Sequence, residues 1–162
     1  MILTQLDMPC LEPVPLDTRK FMGLGSGSRR WRFVDDWTFV LHNGNIAFVP
    51  RGFVFNGASI PKLFRSFMSP IGFLFIASVF HDFGYRFGYL RGWEEKIRGA
   101  PIKLEAFKTR TDFDFLLRDT AIQTSGWKGL SNTVFGVITS TGYVSWDKHR
   151  KNNVTEEEDL DV

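Results

Sequence analysis

From Met68 to Phe80 the chain carries no charged residue, and this run ends on an adjacent His81-Asp82 pair with Tyr85 close behind. Pro70 suits the first turn of a helix, where the N–H that proline lacks has no intrahelical partner anyway. The apolar residues that follow surround the helix almost completely, which marks a central buried element. The run is too short to span a bilayer, which takes about 20 apolar residues, and Arg65, His81, Asp82 and Arg86 bound it. The spacing therefore predicts a buried helix from Pro70 to about Tyr89, weakened by Gly84, Gly88 and Gly92.

What packs on that helix is legible on both sides of it. Trp31 and Phe33 alternate with Arg30 and Arg32, and Trp37, Phe39 and Leu41 alternate with Thr38 and Val40, the period of half-buried strands. His42-Asn43-Gly44-Asn45 then supplies a hairpin turn, Ile46–Val49 the return strand up to Pro50, and residues 51–55 one more short strand. Downstream, residues 91–108 read as a charged excursion. A second helix is expected from about Thr111 and a third over about 128–150, where Gly129, Thr133, Gly136 and Ser140 form a small-residue stripe suited to close helix packing. The fold class is α+β: a small antiparallel sheet from the N-terminal half, packed on the central helix and two further helices.

The ends differ from this body. Pro9, Pro13 and Pro15, followed by Gly23, Gly25 and Gly27 with their serines, make residues 1–28 an irregular arm and linker. The glycine run lacks the Gly-Lys-Ser/Thr ending of a phosphate loop. Residues 29–151 form a single domain, and residues 152–162 read as a disordered acidic tail. Removing the five tail acids (Glu156, Glu157, Glu158, Asp159, Asp161) from a net charge of +2 leaves the rest of the chain at +7. Basic groups gather at Arg29, Arg30 and Arg32 and at Lys148, Arg150 and Lys151, but so modest an excess favours a solvated surface over nucleic-acid binding. The N-terminus carries Asp7 and no basic leader, and the single Cys10 permits no internal disulfide, which together suit a reducing cytoplasm.

Chemistry is sought where polar groups interrupt apolar surroundings. His81 shares a helix face with Leu74, Ala77, Ser78 and Tyr85. Thr111 and Asp114 match the Ser/Thr-x-x-acid capping box, which gives Asp114 a local structural role. Asp112, with Phe115, Leu116 and Asp119 at i+3, i+4 and i+7, is expected to point inward instead. His81, Asp82 and Asp112 are thus the candidate catalytic residues. They are also the candidate ligands of a divalent metal such as zinc or manganese, since imidazole and carboxylate together suit those ions. A carboxylate beside a histidine can equally fix its tautomer and make it a general base. Asn56, Ser59 and Tyr85 are candidate substrate contacts. The same residues have a structural reading: His81 donating to a backbone carbonyl, Asp82 pairing with Arg86, Asn56-Gly57 forming a turn.

Val49-Pro50-Arg51-Gly52-Phe53-Val54-Phe55-Asn56-Gly57-Ala58-Ser59-Ile60-Pro61, followed by His81-Asp82-Phe83-Gly84-Tyr85, resembles the phage and prophage family of domain of unknown function 1353. Its pattern is VPxGFxxDGASIP, then HDxLY, then a helix with acid-x-x-Phe, which Asp112 and Phe115 match. The resemblance covers about residues 30–145 and departs at Asn56, where the family has Asp, and at Gly84, where it has Leu. It implies a bacteriophage origin and an uncharacterised activity, in the host cytoplasm or in the virion. The residues themselves support a small hydrolase centred on His81-Asp82. The arm and tail support the alternative, a non-enzymatic virion or tail accessory protein, or an inhibitor that binds a host factor, with the N-terminal arm ordering on a phage structural or host protein.

Overall fold

A computed structural model describes residues 8–14, 30–55, 74–94 and 99–152. Most of the arm and linker, Asn56 and Ser59 with the turn expected there, and nearly all of the acidic tail lie outside the described residues.

Among the described residues two antiparallel sheets form where one was expected, and the aromatic-rich N-terminal half supplies five of their seven strands. The first has the order β1 (Leu11–Pro13), β2 (Trp31–Phe33), β5 (Val54–Phe55), with Leu11 opposite Phe33 and Trp31 opposite Phe55. β1 corrects the reading of residues 1–28 as wholly irregular: β2 offers an edge to pair with, and Pro13 sits at an edge strand, where a missing N–H breaks no ladder. The second sheet has the order β3 (Trp37–Val40), β4 (Ile46–Val49), β6 (Arg91–Trp93), β7 (Ile102–Lys103). Its first hairpin closes through Gly44 N–H to Leu41 O at 2.9 Å, with Gly44 at φ 84°, and Leu41 N–H to Asn45 O at 2.8 Å. That is a turn followed by a left-handed glycine, where a side chain would be strained. β6 and β7 occupy what looked like a charged excursion. Gly92 makes this possible, because a Cβ there would overlap the Ile46 carbonyl on the neighbouring strand.

The central helix α1 spans Phe75–Phe87 and ends at Gly88, left-handed at φ 79°, whose N–H donates to Gly84 O. One of its sides meets the sheets through aromatic contacts. Trp37 stacks on Phe80 at 5.4 Å, Phe53 lies 5.1 Å from Phe83, and Phe55 meets Phe75 edge-on. The other side meets α2 (Arg110–Ser125) and α3 (Lys128–Thr141) through Leu74, Ala77, Leu117, Ala121, Val134 and Ile138. Gly84 lies against the Phe113 ring, so a side chain there would overlap it, and α1 and α2 approach closely at that point. The expected long C-terminal helix is broken at Gly142 into α3 and α4 (Tyr143–Asn152). The small-residue stripe faces solvent: Gly129, Thr133, Gly136 and Ser140 are exposed, and the Thr133 and Ser140 hydroxyls donate back to the carbonyls of Gly129 and Gly136. Val134 and Ile138 face the core because that is where α3 buries the most apolar surface. Among the described residues no helix is long and apolar enough to cross a membrane.

Candidate functional site

His81 lies on the side of α1 that meets α2, and it has no exposed surface. Its Nε2 is 3.1 Å from Oδ1 of Asp114. The Tyr85 hydroxyl, one turn further along α1, donates to the same oxygen at 2.6 Å. Arg110, one turn before Asp114 on α2, donates from Nη1 to Asp114 Oδ2 at 3.2 Å and to the Thr139 carbonyl on α3 at 3.0 Å. The His81 and Tyr85 rings lie 4.0 Å apart, tilted by 33°. A single buried carboxylate thus gathers an imidazole, a phenol and a guanidinium from two helices and is tied to a third.

The electrostatics follow from burial. Asp114 is wholly buried, and Arg110 supplies the countercharge that an ionised carboxylate needs in such a place. Burial, and after it the hydrogen bond to Asp114, pushes the Tyr85 phenol far above its ordinary range, so Tyr85 remains a protonated donor at neutral pH. On His81 the two ring nitrogens differ. Nε2 faces Asp114, whereas Nδ1 is buried with no hydrogen-bond partner among the described residues. In the neutral ring the Asp114 contact places the proton on Nε2 and leaves Nδ1 with its lone pair.

Asp114, not Asp112, is the carboxylate that meets His81. The N-cap of α2 is Thr109, two residues before the Thr111 expected from sequence, and the capping box pairs Thr109 with Asp112. Asp112 accepts from the Thr109 amide at 2.7 Å and the Lys108 amide at 3.1 Å. Partial burial raises its pKa, but those amides and the Thr109 hydroxyl outweigh that effect and hold it below the usual carboxylate range. Shifting the helix start by two residues exchanges the roles of the two acids. Asp114 then joins the inward stripe of Phe113, Leu117 and Ala121, and that stripe, with Arg110 at i−4, was the available signal for both missed residues.

Of the other candidates, Tyr85 is in the cluster and Asp82 is not. Asp82 is also buried, but it points towards α4, where its charge acts on His149. Neighbouring helix residues point about 100° apart, so His81 and Asp82 cannot both face α2. Asn56 and Ser59 lie outside the described residues. Among the described residues no group of three or more His, Cys, Asp or Glu side chains is placed to hold a metal ion. Among the described residues, His81, Asp82 and Asp112 do not converge, and the one Asp114 oxygen that reaches His81 also accepts from Tyr85, so these side chains as placed do not form a divalent-metal site.

An α+β domain with two small antiparallel sheets on one side of a buried helix, and a His–Asp–Tyr cluster with its arginine on the other, is the class that fold and site define. The chain belongs to the family described as protein of unknown function DUF1353, whose model matches residues 31–125, more than half of its length. That match runs from β2 to the end of α2 and contains His81, Tyr85, Arg110 and Asp114, while α3 and α4 lie beyond it. No curated protein and no solved structure matches the chain.

Proposed function

We propose that this protein is a small phage-encoded domain in which His81 acts as a general base on a hydrolysable substrate. The observation that carries this reading is the asymmetry of the His81 ring: one nitrogen is held by a buried carboxylate and the other is left without a partner among the described residues. A carboxylate that fixes the tautomer and supports the developing imidazolium is what a histidine needs to take a proton from water or a hydroxyl group. In this reading Asp114 orients His81, Arg110 pairs with the other Asp114 oxygen, and Tyr85 supplies a proton-bearing donor beside it. The VPxGF and His-Asp motifs support the phage origin, with the host cytoplasm as the place of action.

The test is hydrolysis of a panel of esters, amides and phosphate esters by the wild type, His81→Gln and Asp114→Asn. Positioned general bases contribute about 10²–10⁴-fold, and His81→Gln is expected to lose that factor on whichever substrate is turned over. Equal turnover by wild type and His81→Gln, or no turnover across the panel, defeats the reading.

A second reading has its own support. Tyr143 and Val144, adjacent at the start of α4, are 57% and 61% exposed, an apolar pair that suits contact with a partner in a non-enzymatic virion or tail component or a host-factor inhibitor. Mass spectrometry of purified particles and capture of a host protein test it. Absence from particles together with failure to capture a partner removes it.

A further inference from the structure

His81, Tyr85 and Asp114 are fully buried, so a substrate meets them only if something moves. The element placed to move is α4. None of its residues is buried, and it follows a break at Gly142, whose N–H ends α3 on Ile138 O while its carbonyl accepts from Trp146 N–H to start α4. Trp146 and Arg150, at i and i+4 on one face of α4, both contact α1, and His149 between them feels the charges of Asp82 and Arg86. Trp146 meets Tyr85 edge-on at 5.4 Å and lies 5.9 Å from Phe113. Arg150 stacks on Trp146 and donates from Nη2 to the carbonyls of Tyr85 at 3.1 Å and Arg86 at 2.5 Å, closing the C-terminal turn of α1. Gly142 itself lies so close to the Tyr85 hydroxyl that a side chain there would overlap it.

We infer that α4 is a hinged cover over the His81–Asp114–Tyr85 cluster, pivoting at Gly142 and latched by Arg150 on the last carbonyls of α1. The inference rests on the reading of His81 as a working base and adds how that base is reached. Among the described residues, two hydrogen bonds from Arg150 and the packing of Trp146 on Tyr85 and Phe113 hold the cover, whereas α1 and α2 are held by an apolar core. Release of α4 lifts Trp146 from the edge of the core but leaves the packing of α1 on α2 in place. The latch and the site share Tyr85: its backbone carbonyl takes Arg150, and its side chain takes Trp146 and Asp114.

Chemical access to His81 tests this with no substrate. Diethyl pyrocarbonate acylates accessible imidazole nitrogens, and peptide mass spectrometry separates His81 from the exposed His42. Arg150→Ala is expected to speed modification of His81 about tenfold, the order expected for losing hydrogen bonds from a charged donor. His42 should react as before, and amide exchange should rise in 143–152 but not in 75–87. Tyr143→Ala, an exposed change on α4 away from the latch, should leave His81 as slow as in the wild type. Slow His81 modification in Arg150→Ala overturns the cover, whether or not α4 exchanges faster. Fast modification accompanied by equal loosening of α1 and α2 overturns it too, because the core has then opened as a whole. Should the cover behave as expected while His81→Gln loses no activity, the general-base reading fails and the cover stands.

Discussion

Truncating Asp114 to alanine is the perturbation with the largest expected effect on this fold, and its size can be worked from the partners it strands. Asp114 accepts from Tyr85, His81 and Arg110, and the first two are wholly buried with no route to water. Each buried donor left unsatisfied costs about 1–3 kcal/mol. Arg110 is partly exposed and keeps the Thr139 carbonyl, so little is added on its account. Two stranded donors and a small cavity bring the total to about 3–5 kcal/mol, the range for breaking a buried ionic pair from one side. Asp114→Asn retains an acceptor for Tyr85 but sets an amide against Arg110, and about half that loss is expected. Tyr85→Phe removes one donor and leaves Asp114 with two, for about 1 kcal/mol. Urea unfolding reads these as midpoint shifts, about 2 M for Asp114→Ala at an m-value near 2 kcal/mol/M, with m unchanged. The order alanine, asparagine, Tyr85→Phe is the signature. An Asp114→Ala midpoint within about 0.5 M of wild type would show that His81 and Tyr85 find other partners and would refute the reasoning.

Three other outcomes follow from single contacts. Because folding raises the Tyr85 pKa, its stabilising contribution is complete below the phenol's unfolded value near 10 and is lost as pH rises above it; urea midpoints from pH 9 to 11.5 should fall more steeply for wild type than for Tyr85→Phe. Folding lowers the Asp112 pKa, so its contribution is present above about pH 4 and lost on acidification; Asp112→Ala should cost about 1 kcal/mol at pH 7, less at pH 3, with no change in His81 reactivity. Gly84→Ala forces a methyl group into the Phe113 ring and should destabilise by about 1–3 kcal/mol, whereas Gly136→Ala, exposed and with nothing near it, should stabilise by about 0.5–1 kcal/mol; thermal melts with the same sign for both would contradict the packing described.

The parts legible in the sequence are those where one local signal had no competitor. The charge-free run defined α1, and period-two aromatics with Asn43-Gly44 defined β2 through β4. Where two signals competed, tertiary structure decided. Thr109 and Thr111 can each begin α2, and the packing of α2 on α1, including the Phe113–Gly84 contact, and the Asp114–Arg110 pair go with the earlier start, which turns Asp114 inward. β1, β6 and β7 are two or three residues long and owe their form to the neighbour they pair with, so no periodicity could announce them. The helical stripe of Gly129, Thr133, Gly136 and Ser140 was real but carries less apolar area than Val134 and Ile138, and the larger area took the core.

A buried cluster of this kind is not the cheapest way to join two helices, and that gives a means of separating a structural role from a functional one. Desolvating Asp114 and Arg110 costs several kcal/mol, which their attraction and hydrogen bonds only offset. Leucine at 81 and 114 with phenylalanine at 85 would replace the buried polar groups with apolar ones of similar size without stranding a donor, and Arg110 could keep the Thr139 carbonyl and turn its remaining donors to water. Such replacements are neutral or stabilising by about 1–4 kcal/mol in other buried ionic sites. The triple variant is therefore expected to unfold at equal or higher urea than wild type while losing any hydrolytic activity. That outcome would mean the polar groups are held for what they do, at some expense of stability. If the triple variant instead unfolds early or loses its single sharp transition, the cluster fixes how α1 and α2 register against each other, and its chemistry is structural.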